Sequence, residues 1–460
     1  MTTRATYLVC AGCGAEVPAA TPFVWACPAA RPGDDIDHVL RRVLDPAAAT
    51  GEPDADPSAN PFLRYRQRFH SYHVARAAGW SDGRYVDLVE ELDEAVAAVD
   101  GKGFRATPIV RSVGLDDELG FGVDGGVWVK DETGNVSGSH KARHLMGVML
   151  ALRVAESIGV ADPDAPLAIA SCGNAALAAA VVARAAQRRL LVFVPPSAEP
   201  AVVARLDSLD AELEVCDRQP GQAGDPTVHR LMEAIADGAV PFTVQGNLNG
   251  LAIEGGETLG WELIDQLPDD ASALDRLLIH VGGGAFASSA AQALDEAVAF
   301  GQLARLPVID TVQTQGGYPL KRAHDRALEH LGVAAGTPVD PEAAAGAISQ
   351  AVHHRSDYMW AWETEPVSVA HGILDDETYD WAAVVRAMLI TGGRSVVVDE
   401  ATLEAANALA RPEMGIDADH TGTAGLAGLI QLTRDGLVSP DETVAVIFSG
   451  ARRPSDAPGS

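Results

Sequence analysis

Between Thr107 and Gln313, short apolar runs alternate with stretches of helical periodicity, and this alternation constrains the fold more than any other feature of the chain. The runs Gly126–Lys130, Leu167–Ala170, Leu190–Val194, Glu212–Cys216, Thr243–Val244, Arg276–Val281 and Val308–Gln313 read as strands. Residues 174–187, 201–209, 226–236, 255–267 and 288–300 read as the helices between them. Asp225 is placed to cap the third helix and Pro226 to start it. Strands separated by helices pair in parallel, and helices then cover both faces of the sheet. The spacing also predicts helices from Asn60 and over Val86–Val99, a loop over 338–345 and a late strand at Val444–Phe448. Open parallel sheets hold ligands just past the carboxyl ends of their strands, so chemistry is expected in the loops there.

Four of those loops carry reactive or anion-binding groups. The first runs Asn135-Val136-Ser137-Gly138-Ser139-His140-Lys141 and ends on a lysine that opens a helix with Leu145, Val148, Met149 and Leu152 at helical spacing. Its Asn, Ser and Gly residues supply hydroxyls, backbone N–H groups and positive-φ positions around an amine able to form a Schiff base. An ordinary helix-opening lysine is the bland alternative. The second loop, Ser171-Cys172-Gly173-Asn174-Ala175, sets a hydroxyl, an amide and backbone N–H groups at a helix start, suited to a carboxylate and a phenolic oxygen, although Ser and Asn also cap helices for no other purpose. The third, Gly282-Gly283-Gly284-Ala285-Phe286-Ala287, lets backbone approach a phosphate closely. Its spacing equally fits a dinucleotide fingerprint, with Asp310 as the ribose-binding acid of a nicotinamide-dependent oxidoreductase. The fourth is Ser449-Gly450, directly after the last strand.

Composition narrows the field. The formal charge of −30 opposes binding to nucleic acid or to anionic membranes. Lysine occurs only at 102, 130, 141 and 321 in a chain that otherwise uses arginine, which cannot shed its proton to attack a carbonyl. Lys102 and Lys321 read as solvated and Lys130 as a partner for Asp131 or Glu132, which leaves Lys141 as the candidate amine. No apolar run reaches membrane length and Met1–Ala11 lacks the apolar core of a signal peptide, so a cytoplasmic location is expected. Residues 1–44 form a small unit in which Cys10-x-x-Cys13-Gly14 and Cys27-Pro28 look like three of the four ligands of a zinc ribbon. A second cysteine of the latter knuckle is missing at Ala30; His38, Asp34, Asp35 or Asp37 could complete a structural zinc site, and a metal-free ribbon is the alternative. Residues 45–60 read as a linker.

Taken together, the four loops resemble the pyridoxal-phosphate enzymes of the tryptophan synthase β-type fold (fold type II), and within them threonine synthase. Asn60-Pro61-x-x-Arg64-Tyr65, Thr107-Pro108-x-Val110-Arg111 and Glu254-Gly255-Gly256-Glu257-Thr258 add to the resemblance, which spans roughly 60–325 and the final strand. It implies an α/β fold of two open parallel-sheet domains with the cofactor between them. The larger would comprise 61–165 and 255–455, and the smaller, mobile one 166–254. By the same resemblance, Lys141 is the Schiff-base lysine and general base, flanked by His140 and by Ser139 on the substrate side. Asn174 orients the ring oxygen, and Ser171, Cys172, Gly173 and Ala175 take the substrate carboxylate. Gly282, Gly283, Gly284, Ala285, Phe286 and Ala287 hold the phosphate, while Ser449 faces the pyridine nitrogen. A hydroxyl there leaves that nitrogen largely unprotonated, which favours elimination and replacement over transamination. The implied activity is a lyase converting O-phosphohomoserine to threonine and phosphate, with a serine/threonine dehydratase or a β-replacing enzyme as the alternative. The partner is a small amino acid, and a homodimer is implied. His140, where threonine synthases carry phenylalanine, and the stretch from Pro366 to Gly425 depart from the pattern; the latter is expected over the leaving group.

Overall fold

The structure, a computed structural model, describes residues 5–17, 23–49, 59–218, 224–267 and 274–453. Residues 50–58 of the expected linker lie outside that set; before them, Asp45 caps a short turn of 3-10 helix at Pro46–Ala48. The described chain forms two compact units. One comprises residues up to Asp34, His38–Ala106 and Asn135–Thr258; the other comprises Asp35–Asp37, Thr107–Gly134 and Leu259 onward. Residues 61–106 and 135–165, grouped with the larger domain on sequence, pack in the first unit.

In the second unit six strands lie in the order Ser395–Val398, Val308–Thr314, Arg276–His280, Thr443–Phe448, Gly126–Asp131 and Ile109–Arg111. All neighbours are parallel except the edge strand Ile109–Arg111. Successive residues face opposite sides, as strand geometry requires. Leu277, Ile279, Ala445 and Ile447 enter one core with the helices Ala285–Ala299, Pro319–Leu331 and Trp381–Thr391. Leu278, Val444, Val446 and Phe448 enter the opposite core with Glu400–Met414 and Ala424–Arg434. Two-faced burial explains why these strands read as unbroken apolar runs.

The first unit holds a parallel sheet in the order Glu212–Val215, Leu190–Val194, Leu167–Ala170 and Val240–Pro241. Its last strand sits slightly before the expected Thr243–Val244, because Val240 and Pro241 reach the register of Leu167 and Ala168. The helix Lys141–Ser157 is buried on all sides from Ala142 to Leu152, more than its amphipathic spacing indicated. It crosses the helix Ala252–Gln266 backbone to backbone: a Cβ at Gly147 would lie 2.7 Å from Gly255 Cα. Thr6–Cys10 and Leu40–Leu44 form a separate antiparallel pair, the core of the N-terminal ribbon.

The loop expected at 338–345 is overturned. Asp340 accepts from Glu342 N at 3.0 Å and Ala343 N at 3.2 Å, and Pro341 starts a helix that runs to Val352. An Asp-Pro pair is a helix start as readily as a turn, and only the apolar core beneath Ala344, Ala347 and Ile348 decides between them. Lys130 is a structural lysine held by residues distant in the chain. Its ammonium is fully buried and donates to Glu262 Oε2 at 2.8 Å, Thr107 O at 2.6 Å and Gln266 Oε1 at 2.7 Å.

Two outcomes follow from these buried groups. Lys130→Ala strands the Glu262 carboxylate and is expected to lower the unfolding free energy by about 3–5 kcal/mol, read from urea denaturation. Burial holds the imidazoles of His144 and His324 down to about 3 and about 4, from an ordinary 6.5. Below pH 6.5 the unfolded chain therefore takes up protons that these folded sites refuse, and each costs about 1.4 kcal/mol per pH unit until its folded value is reached. Asp37, pushed up to about 6 by burial against the pull of Arg355, opposes this trend below pH 6. A net loss is expected, with the urea midpoint falling as pH drops from about 7 to about 5.

Candidate active site

The lysine turn is closed by Asn135. Its side-chain oxygen accepts from Val136 N at 2.8 Å, and its amide donates to Ser139 O at 3.2 Å. Ser137 and Gly138 adopt the left-handed conformation, with φ of 55° and 76°, as the turn composition indicated. The Ser137 N–H is held by Asp100 Oδ2 at 2.9 Å. Ser139 then runs extended, and its hydroxyl accepts from Lys141 N at 3.4 Å. Lys141 opens its helix half-buried, beside the buried Ser139 and His140. One turn on, His144 donates from Nδ1 to Ala252 O at 2.8 Å, since a carbonyl can only accept. Burial first, and then the charge of Lys141, keep that ring neutral.

The helix Asn174–Ala185 packs against both the lysine helix and the turn Val136–Gly138. This brings the second loop into the same unit as Lys141. Gly173 occupies the N-cap position and brings no side chain, so the helix start is left to backbone donors. Ser171 Oγ accepts from Gly173 N at 3.4 Å, and residues 171–174 are half-buried, within reach of a small solute. Cys172, Gly173 and Ala175 follow in the same turn.

In the second unit the glycine loop and Ser449 end adjacent parallel strands, Arg276–His280 and Thr443–Phe448. Gly284 has φ 93° and caps the helix that carries Ala285, Phe286 and Ala287. A Cβ at Gly284 would lie 2.8 Å from Thr378 Cγ2, and one at Gly283 would lie 3.0 Å from the Tyr379 ring. One at Gly282 would overlap the Asp375 carboxylate. Thr378 Oγ1 donates to Gly282 O at 2.9 Å and Asp380 N to Gly283 O at 3.0 Å. Ser449 is buried, and its N–H reaches Gly422 O at 3.3 Å. Gly450 has φ 117°, and a Cβ there would lie 2.7 Å from Asp419 Oδ1.

Sequence reasoning did not single out Thr378, Tyr379 or Asp419 as the residues that shape these loops. The consecutive glycines were the signal that something presses closely on the backbone, but nothing local identified what. Asp310 is buried, pairs with Arg276 and accepts from Arg394 N at 2.6 Å, so its carboxylate is committed to the fold instead of to a ribose. That removes the candidate ribose-binding acid of a nicotinamide cofactor and leaves that reading on the glycine loop alone. Cys10, Cys13, Cys27 and His38 gather in the N-terminal ribbon.

The sequence profile of the family described as pyridoxal-phosphate dependent enzyme matches residues 102–450. The chain belongs to that family. It is 24% identical to a threonine synthase of Methanosarcina acetivorans over 392 residues, covering 80% of this chain and 78% of that protein. An L-serine dehydratase of Saccharomyces cerevisiae is 28% identical over 239 residues, covering 50% of this chain and 67% of that one. Among solved structures, the processed form of threonine deaminase isoform 2 from Solanum lycopersicum superimposes with a TM-score of 0.55 at 18% identity, over 82% of this chain and 92% of that one. The fold is that of the tryptophan synthase β-like enzymes, and the family's cofactor is pyridoxal phosphate. Among the described residues no helix is long and apolar enough to cross a membrane.

The residues present suit that cofactor. The glycine loop leads into a helix start, Gly284 being its N-cap with no side-chain cap, where backbone N–H groups favour a phosphate. Gly284→Ala would combine contact with Thr378 and a left-handed φ that costs an L-residue roughly 1–2 kcal/mol. Absorbance titration of the apoprotein is expected to show pyridoxal phosphate binding weakened by roughly tenfold or more.

Proposed function

We propose that this enzyme is a carbon–oxygen lyase of the threonine synthase type, which removes phosphate from O-phosphohomoserine and adds water to give threonine. The observation that carries this reading is the extent of the match: threonine synthase relatives align over 80% of the chain, the serine dehydratases over half of it. A dehydratase acting on serine or threonine is the second reading, favoured by the slightly higher identity of that shorter match.

In the proposed mechanism Lys141 Nζ would hold the cofactor through its aldehyde, and the same amine would act as the base toward the proton on the substrate Cα. Bound pyridoxal phosphate supplies an electron sink for the charge left on that carbon. Ser171 and the backbone N–H groups from Cys172 to Ala175 hold the substrate carboxylate at the uncapped helix start, with Ser139 beside the amine. Asn174 hydrogen-bonds the ring oxygen, and His140 packs beside the ring. Gly282, Gly283, Gly284, Ala285, Phe286 and Ala287 hold the phosphate, and Thr378 and Asp380 fix the carbonyls of Gly282 and Gly283 so that the loop keeps its shape. Ser449 faces the ring nitrogen with a neutral hydroxyl, which suits elimination and replacement. The stretch from Pro366 to Gly425 lies over the leaving group. A cytoplasmic homodimer is the proposed setting, in keeping with five cysteines that are all free thiols.

Lys141→Ala should abolish both the visible absorbance of the bound cofactor and turnover, whereas survival of both would remove Lys141 from the mechanism. With the unaltered enzyme, phosphate and threonine released from O-phosphohomoserine support the first reading. Ammonia and a keto acid released from serine or threonine, with no phosphate from O-phosphohomoserine, would replace it with the second.

A further inference from the structure

The N-terminal ribbon holds a donor set for which the chemistry at Lys141 has no use. The sulfurs of Cys10, Cys13 and Cys27 and a ring nitrogen of His38 all lie within 4.8 Å of one another. Cys13 Sγ and Cys27 Sγ are 3.7 Å apart, and Cys10 Sγ is 3.4 Å from His38 Nδ1. A tetrahedral zinc with bonds of about 2.3 Å to sulfur and about 2.0 Å to nitrogen requires S···S edges of about 3.8 Å and S···N edges of about 3.5 Å. The observed edges match both. A disulfide between Cys13 and Cys27 would need a separation of about 2.05 Å, and all five cysteines are free.

The surroundings are arranged for thiolates. Cys13 N donates to Cys10 Sγ and Ala29 N to Cys27 Sγ, each at 3.4 Å. Gly14, at φ 73°, closes the first knuckle with its N–H on Cys10 O. Of the four candidates for the last ligand, three are otherwise engaged. Asp35 holds Ser356, Asp37 holds Arg355, and Asp34 Oδ2 lies 3.2 Å from His38 Nε2. A carboxylate on Nε2 fixes the imidazole proton there and leaves the Nδ1 lone pair directed at the sulfurs, as in the carboxylate–histidine–zinc arrangement.

We infer that the ribbon is a closed, four-coordinate Cys3His zinc site, with Cys10, Cys13, Cys27 and His38 Nδ1 as ligands and Asp34 as a positioning residue. Binding takes Zn2+ and three thiols to three zinc–sulfur bonds, releases three protons to solvent and leaves the neutral imidazole as fourth donor, for a net charge of −1 at the site. With no position open to water, the metal is structural. A lone two-stranded sheet is marginal in water, and the metal supplies what the small core around Leu8, Leu40 and Leu251 cannot.

The test uses the full-length chain, purified with pyridoxal phosphate and without chelators, and is independent of what Lys141 does. Elemental analysis should find about one zinc per chain. Apoprotein titrated with cobalt(II) should develop the visible absorption of a tetrahedral cobalt thiolate. Cys13→Ser and His38→Ala should lose the metal, His38→Cys should regain it, and Asp34→Asn should bind about 10–100-fold more weakly in chelator competition. Reduced wild-type protein that neither retains zinc nor develops the cobalt band would overturn the site. So would a folded Cys13→Ser variant, verified by circular dichroism, that keeps its full metal content. Unchanged affinity in Asp34→Asn would remove Asp34 from it.

Discussion

A helix that follows a parallel strand starts with N–H groups that have no partner in the helix, and the sheet collects these starts along one edge. Nearly everything proposed for this enzyme depends on that constraint. The glycine loop and Ser449 end neighbouring strands of one sheet, and the loop at Ser171 ends a strand of the other. In each sheet the parallel order, more than any single side chain, produces an anion-binding edge.

Those edges are shaped from behind. The segment from Ile373 to Asp380 presses against all three glycines of the loop, and Asp419 against Gly450, so each glycine is required by a neighbour far along the chain. Beneath the strands, Lys130 is held by Glu262, Gln266 and the carbonyl of Thr107. A buried ammonium with three acceptors is a satisfied group, and its role is to fix the register of the strand that feeds the lysine turn. The other candidate amine, Lys141, is half-buried at a helix start. Two lysines only eleven positions apart thus have different environments, one fully buried among acceptors and the other half-buried at a helix start.

Much of this was legible in the sequence. Alternating periodicities indicated the parallel sheets, and the strand–turn–helix transitions at Lys141, Asn174 and Gly284 and the strand end at Ser449 all form close to where the sequence placed them. Positive φ within the lysine turn was expected from its glycine-containing composition, and the structure places it at Ser137 and Gly138. The errors occurred where the same local signal serves two structures. Asp340-Pro341 starts a helix instead of a loop, and the short strand at Val240–Pro241 was displaced because two residues carry too little pattern to fix register. Asp310, in the strand after the glycine loop, was a candidate ribose ligand although somewhat far along the chain, and it is the buried counterion of Arg276.

By itself, then, the sequence determined the fold class, the places where strands turn into helices and which lysine to propose as the reactive amine, since periodicity and turn preference act over a few residues. Only the tertiary structure decided partners. It paired Lys130 with a carboxylate 132 positions away and set Thr378 against the glycine loop. It also brought His38 beside Cys10, Cys13 and Cys27, while Asp35 and Asp37 meet Ser356 and Arg355. Burial and long-range contact make these choices, and neither is written in any local stretch of the chain.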